Sequence, residues 1–435
     1  MRKFLYSVFM LAAVVLAACS NDDNGDTQPK RGMTLNASVE DLSSRATMTD
    51  ESGKWKFAFD ENDQLSVSNN KISNYYTFTN NGSQFTCAQA EVTKEAVDWY
   101  AYFPGNEVDL TKQTGTFDDV ANKFAVAGKT AQTTTGENGL SITLKSKVAV
   151  LRVVAVDKKG ILDINVKTVD GGWVTGLTAT KDAAEFTVST SDTKTTLLQK
   201  AEGKVQAGEI NYVVVPAGVK IEIYNGDLLL NKTKDAGLTA GKYYTITSGP
   251  TKGTETATLA NGTTETVEWV QLWAGGPRFA TQNVAEEMTW TDAANTGKEY
   301  VWGENWRTPT AAEVTEEGGL QAEWNTKEGK WVVKEGSPTI NVTTKDGIEE
   351  TVEFTGVQPG YTKNTLTLYN KIDSHGYSHF NFWTTTENNG YGCMYRIMID
   401  KGIIGIFGPS SFESKDTKCL VRPVLSIQNI TNNKK

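Results

Sequence analysis

The chain has 435 residues, with 43 Lys and Arg against 52 Asp and Glu, for a formal net charge of −9. That length exceeds one ordinary core, so roughly two to four domains are expected; the acidic balance, with no basic stripe, argues against a nucleic-acid partner. Two histidines and four cysteines leave almost no material for a His/Cys zinc site.

The first element is a targeting signal. Met1-Arg2-Lys3 precedes an apolar run from Phe4 to Ala18, which ends in the small-residue approach Leu16-Ala17-Ala18 to Cys19. The run is shorter than the roughly 20 residues that cross a bilayer, and the chain turns polar straight after it. Residues 1–18 therefore read as a secretory signal peptide rather than a membrane span. Cys19 in this setting resembles the cysteine of a bacterial lipobox, which implies diacylation of its thiol and cleavage just before it. Stable anchoring needs more than one acyl chain, and such a group supplies them. Residues 19–32, with Asp22, Asp23 and Asp26, form an acidic, solvated tether. It is similar to the surface-export signal of Bacteroidetes lipoproteins, so the expected address is the outer membrane, lipid-anchored and surface-exposed. That compartment permits disulfides.

From residue 33 the chain is a series of short alternating runs, among them Gln64-Leu65-Ser66-Val67, Val148-Ala149-Val150-Leu151 and Lys220-Ile221-Glu222-Ile223. Turn signals such as Asn81-Gly82, Asp170-Gly171-Gly172 and Asn225-Gly226-Asp227 separate them, so strands of sandwiches are expected. Four patterns stand in order: Thr34–Val39 followed by Ser44-Arg45-Ala46; Trp55 with Phe59-Asp60-Glu61-Asn62-Asp63-Gln64-Leu65; Trp99-Tyr100-Ala101-Tyr102-Phe103-Pro104; and Leu238-Thr239-Ala240-Gly241-Lys242-Tyr243-Tyr244-Thr245-Ile246. Together they resemble the fimbrillin (Mfa-like) family of pilus subunits, although Asn62 stands where that family has glycine. The resemblance implies two tandem transthyretin-like β-sandwiches, placed here at 33–145 and 146–248. It also implies polymerisation with other pilus subunits by strand exchange, opened by an arginine-specific cut after an N-terminal strand. Arg45-Ala46 sits where that cut would fall; an ordinary loop arginine is the equal alternative. Trp55, Tyr102 and Phe103 are expected in the core.

Residues 249–264 read as a linker. Beyond it lie most of the tryptophans and a second ordered set of motifs. These are Trp269-Val270-Gln271-Leu272-Trp273, Phe279-Ala280-Thr281-Gln282-Asn283-Val284-Ala285, Trp302-Gly303-Glu304, Trp306-Arg307-Thr308-Pro309-Thr310, Phe382-Trp383-Thr384 and Val421-Arg422-Pro423-Val424. They resemble a C-type-lectin-like module of the Fibrobacter-type major paralogous kind, with Ala285 in place of a glycine. The resemblance implies an α+β head over 265–428, followed by a tail at 429–435. Thr310 and Glu313 have capping-box spacing at a helix entry. Cys393 and Cys419 fall in this one domain as the candidate disulfide. It would close a loop of about 25 residues and contribute about 3 kcal/mol, leaving Cys87 free and buried.

The lectin calcium motifs lack their acids: Gln358-Pro359 is followed by Gly360, and Trp383 by threonines. Asp373, His375 and His379 lie in a polar, Gly-interrupted stretch that reads as a surface loop rather than a metal site. His375 and His379, with Tyr369, Tyr377 and Phe380, are candidate ligand-facing residues, since binding residues favour loops on rigid scaffolds. No nucleophile elbow, phosphate loop or dinucleotide fingerprint appears. The expectation is therefore a mainly β protein with no cofactor, no metal and no catalytic residues: a fimbrial tip or accessory subunit that acts as an adhesin on an extracellular glycan or protein. The alternative is a free-standing outer-membrane binding lipoprotein.

Overall fold

The computed structural model describes residues 32–40, 59–90, 96–132, 139–157, 161–233, 236–258, 262–283, 287–294, 303, 305–315, 319–326, 330–345, 349–371, 377–400 and 403–425. The fold is mainly β, in three consecutive units.

The first unit contains β1 (Met33–Val39), β2 (Gln64–Asn69), β3 (Tyr76–Asn80), β4 (Phe85–Cys87), β5 (Val97–Phe103), β6 (Glu107–Asp109), helix α1 (Phe117–Lys123), β7 (Val126–Gln132) and β8 (Gly139–Ser146). Alternation builds the strands. In β8, Leu140, Ile142 and Leu144 are buried while Ser141, Thr143 and Lys145 are exposed. Seven strands close into a barrel in the order β1-β4-β3-β2-β5-β7-β8. Closure depends on β1. It runs parallel to β8 from Thr34 to Val39 and antiparallel to β4 from Met33 to Leu35. In the unit expected as a β-sandwich over 33–145, the first and last strands pair, so the strands close into a barrel. Gly128 permits the tight approach of β7 to β8: a Cβ there would lie 2.3 Å from the Thr143 carbonyl oxygen.

The second unit contains β9 (Val148–Val154), β10 (Leu162–Thr168), β11 (Trp173–Thr180), β12 (Glu185–Ser191), β13 (Thr196–Lys200), β14 (Ile210–Pro216), β15 (Ile221–Asn225), β16 (Leu228–Lys232) and β17 (Tyr243–Thr247). One sheet has the order β12-β11-β10-β15-β16, with β13 also on β10; the other is β14-β9-β17. The chain passes between units at Lys147, but the units are not separate. β6 adds to β11, and Gln113 forms a bridge with Leu198. The Gln113 amide donates to the Leu110 and Val214 carbonyls at 2.8 and 2.9 Å and accepts from Val214 N–H at 2.7 Å. One apolar core runs through both units, from Met33 to Ile223.

The third unit contains β18 (Lys252–Thr258), β19 (Thr264–Gln271), β20 (Arg278–Ala280), β21 (Met288–Thr289), α2 (Trp290–Ala293), β22 (Trp306–Arg307), α3 (Ala311–Thr315), β23 (Ala322–Asn325), β24 (Lys330–Val333), β25 (Thr339–Lys345), β26 (Glu349–Thr355), β27 (Thr365–Lys371), β28 (Tyr377–Asn388), β29 (Tyr391–Asp400), β30 (Ile403–Glu413), β31 (Lys418–Cys419) and β32 (Val424–Leu425). The stretch expected as a linker is instead built in: β18 is the outer strand of the sheet β18-β19-β20-β32-β22. Two further three-stranded sheets, β25-β26-β27 and β28-β29-β30, complete the frame. Trp273, Phe279, Phe354, Phe382 and Tyr395 fill one core. Trp269, Trp306, Trp383, Met394 and Cys419 fill a second. Each buried aromatic side chain of this size contributes about 2–3 kcal/mol of apolar burial.

Candidate functional site

The N-terminal edge of the barrel is the first candidate. Met33 and Leu35 are 0 % and 1 % exposed, and Met33 pairs with Cys87 of β4, which is itself 4 % exposed. β1 is held to β4 at three positions and to β8 at six, and Glu40 N–H continues the ladder to the Leu144 carbonyl at 2.8 Å. Its withdrawal would leave the backbone edges of β4 and β8 and the pockets of Met33 and Leu35 open together. Cys19, Arg45, Ala46 and Trp55 lie outside the described residues. Tyr102 and Phe103 are core, at 0 % and 5 %. The Tyr102 hydroxyl donates toward the Ala183 and Thr180 carbonyls, and burial pushes its pKa up to about 12.

The loop proposed as ligand-facing is reshaped by the structure. Tyr369 lies on β27, and Tyr377 and His379 lie on β28. His375 and Asp373 lie outside the described residues. Phe380 is corrected: it is 2 % exposed and packs with Phe382, Tyr395 and Ile397, so it is core and faces no ligand. β28 begins at Tyr377, inside the stretch read as a surface loop, and alternation turns Phe380 and Phe382 inward together.

The disulfide is also corrected. Cys87, Cys393 and Cys419 are all free and buried. The reason is strand placement. Trp383 of β28 pairs with Met394 of β29 on one side, and its N–H donates to the Leu420 carbonyl on the other. Cys393 and Cys419 therefore flank β28 from opposite sides. Two strand spacings come to about 10 Å, whereas a disulfide needs Cα atoms within about 7 Å. Met394 packs with Cys419, and alternation points its neighbour Cys393 to the other face. Burial raises the pKa of both thiols, that of Cys419 to about 12.

The helix entry has the geometry its spacing predicted. Thr310 Oγ1 accepts from Glu313 N–H at 3.1 Å, and Glu313 Oε2 accepts from Thr310 N–H at 2.8 Å. Arg307 grips the same carboxylate with both terminal nitrogens. Burial alone would raise the Glu313 pKa; the Arg307 guanidinium and the Thr310 N–H outweigh it and hold the carboxyl below its usual range. This cluster is structural: it caps α3 and ties its first turn to Arg307 of β22. Among the described residues, no group of three or more His, Cys, Asp or Glu side chains is placed to hold a metal.

Two features were not anticipated. The head docks on the end of β9 and the segment after it. Gly275 N–H donates to the Val156 carbonyl at 2.8 Å, and Arg278 reaches Asp157 at 3.4 Å while lying 5.1 Å over the Trp269 ring. Beside this joint is a cavity of about 390 Å³ whose wall includes Leu228 and Leu229. Three successive leucines after the Asn225-Gly226-Asp227 turn were the available signal, because alternation predicts only every second one inside.

No family model and no curated protein matches the chain. Among solved structures, a candidate cell adhesion protein of Bacteroides ovatus is 11 % identical with a TM-score of 0.32, covering 55 % of this chain and 96 % of its own. A second such protein, from Bacteroides uniformis, is 15 % identical at 0.29, covering 55 % and 97 %. A fimbrial protein of Bacteroides ovatus is 12 % identical at 0.24, covering 91 % of this chain and 99 % of its own. Likeness at that level establishes neither a shared fold nor a shared role, and what rests on the chain itself is a mainly β molecule of three joined units.

Proposed function

We propose that the chain is a lipid-anchored surface subunit of a fimbrium, positioned at the tip or as an accessory, and that its C-terminal unit is a lectin-like head that binds an extracellular glycan or protein without catalysis. The observation that carries the reading is β1. It is the first described strand, it completes the barrel by pairing with both β4 and β8, and it is followed by the segment containing Arg45-Ala46. A cut there separates β1 covalently from the barrel while its hydrogen bonds still hold it. A strand from a neighbouring subunit can then replace it through the same backbone groups and the Met33 and Leu35 pockets. Tip or accessory placement is favoured because β32, the last described strand, is committed between β20 and β22.

Lipid anchoring at Cys19 brings the precursor to the outer membrane; cutting at Arg45, followed by displacement of β1, then frees the subunit from its acyl chains. Immunogold labelling of cells expressing the chain tests the placement. Label at filament ends or at isolated filament positions is expected. Label confined to the membrane, with none on filaments, would refute it and leave a free-standing binding lipoprotein.

A further inference from the structure

We propose that Lys181 and Asn69 become joined by an isopeptide bond, which ties the barrel covalently to the second unit. Asn69 ends β2, while Lys181 and Asp182 stand in the turn between β11 and β12. The two partners are 112 positions apart in sequence. Lys181 Nζ lies 3.3 Å from the Asn69 backbone oxygen and 2.7 Å from Asp182 Oδ2. An amine, a carboxamide and a carboxylate therefore meet at one point where the two units touch. Moving Nζ from the backbone oxygen of Asn69 to Cγ of the same residue takes a rotamer change of the long lysine side chain.

Each group is set for the reaction. Asn69 is 0 % exposed, and its Nδ2 has no hydrogen-bond partner. Asp182 Oδ1 is likewise buried and unpartnered, although Oδ2 of the same carboxylate holds the lysine. Unmade bonds of this kind are costly, and two around one lysine call for a reason. Lys71 N–H donates to Asn69 Oδ1 at 2.8 Å, which polarises Cγ and stabilises charge developing on that oxygen. Asp182 is held at φ +62°, a strained conformation for a residue with a side chain, and such strain gathers at reactive sites. On the barrel side, the Tyr102 ring packs against Tyr75 and Phe186 at 5.7 Å each, and its hydroxyl donates to the Ala183 carbonyl of the same turn. These rings lower the local polarity and so favour the neutral amine over the ammonium.

The step balances without a cofactor or oxidant. The Asp182 carboxylate takes a proton from the Lys181 ammonium. The freed Nζ pair attacks Asn69 Cγ, forming the C–N bond and moving an electron pair onto Oδ1. Collapse breaks the Cγ–Nδ2 bond while Asp182 passes its proton to Nδ2. The proton that Nζ still sheds leaves with the ammonia as ammonium, and Asp182 ends as a carboxylate again. Lys181 and Asp182 are 33 % and 34 % exposed, which gives the ammonium a way out. The reaction runs once per molecule and depends neither on cleavage at Arg45 nor on what the head binds.

The test is peptide mapping of the full chain, denatured, digested with trypsin and read by mass spectrometry. The expected product is a branched peptide joining the segments that hold Asn69 and Lys181. It should be lighter by one ammonia than the two linear peptides together, with no cut after Lys181. Lys181→Arg keeps the charge, and Asp182→Asn tolerates the left-handed backbone; each should abolish the branched peptide. Lys181→Arg should also unfold at a lower urea concentration than the native chain. Linear peptides alone, with trypsin cutting after Lys181 in the native chain, overturn the proposal. A branched peptide that persists in Asp182→Asn overturns it too, as does loss of ammonia at Asn69 with no branch, which would mark cyclisation of the asparagine on its own backbone.

Discussion

Replacing Gln113 with alanine is the sharpest probe of how the barrel and the second unit are joined. Gln113 is 3 % exposed and satisfies three backbone groups: the Leu110 carbonyl, the Val214 carbonyl and the Val214 N–H. Truncation removes all three bonds and leaves buried polar groups behind. Each such loss costs about 1–3 kcal/mol, and partial entry of water lowers the sum to about 3–5 kcal/mol. For a cooperative body of roughly 200 residues this corresponds to a fall in Tm of about 6–20 °C. The assay is urea unfolding followed by hydrogen exchange at peptide resolution. The expected result is a lowered midpoint shared by barrel and second-unit amides, because the core is continuous across them. A loss below about 1 kcal/mol, or one confined to either unit, would refute the reasoning.

Other outcomes follow from the same structure. Glu313 is held below its unfolded pKa, so its contribution is complete above that unfolded value and disappears as pH falls through the lower folded value. A Tm series from pH 7 to pH 2 should show an acid loss that Glu313→Gln flattens; an unchanged slope contradicts the capping role. Gly392→Ala should destabilise the head by about 1–3 kcal/mol or more, since its Cβ would lie 2.3 Å from the Trp290 ring. A native Tm in that variant would contradict the packing. Native protein should show no reaction of Cys87, Cys393 or Cys419 with a maleimide, and all three should react in denaturant without reductant; a bonded Cys393–Cys419 pair would leave two unlabelled. Phe380→Ala should cost about 3–5 kcal/mol of head stability, as a core truncation does; a stable variant with only ligand affinity lost would restore it to the surface.

Local chemistry was legible in the sequence. The strand at Val148–Val153, the hairpin turn at Asn225-Gly226 and the Thr310–Glu313 capping box each rest on a few neighbouring residues, and each appears in place, although β9 is buried on both faces rather than alternating. What was not legible depends on long-range pairing. Nothing local to Thr34–Val39 says that it lies parallel to 139–144, and so closure of the barrel was missed. Likewise Glu107–Asp109 reads as part of the first unit and hydrogen-bonds into the second. The cysteines illustrate the same gap at the candidate site. Sequence separation allowed a bridge, but the strand between them, fixed by Trp383 pairing on both sides, forbids it. Phe380 was misplaced because the polar residues around it obscured the alternation that buries it.

The central claim is that β1 is a removable strand and that the lipid leaves with it. The most direct measurement is the intact mass and N-terminal sequence of the chain recovered from native surface filaments. The account predicts a chain beginning at Ala46, free of acyl groups, with Cys87 protected from alkylation until the filament is dissociated. A chain that still begins at an acylated Cys19, with Arg45-Ala46 uncut, would contradict it.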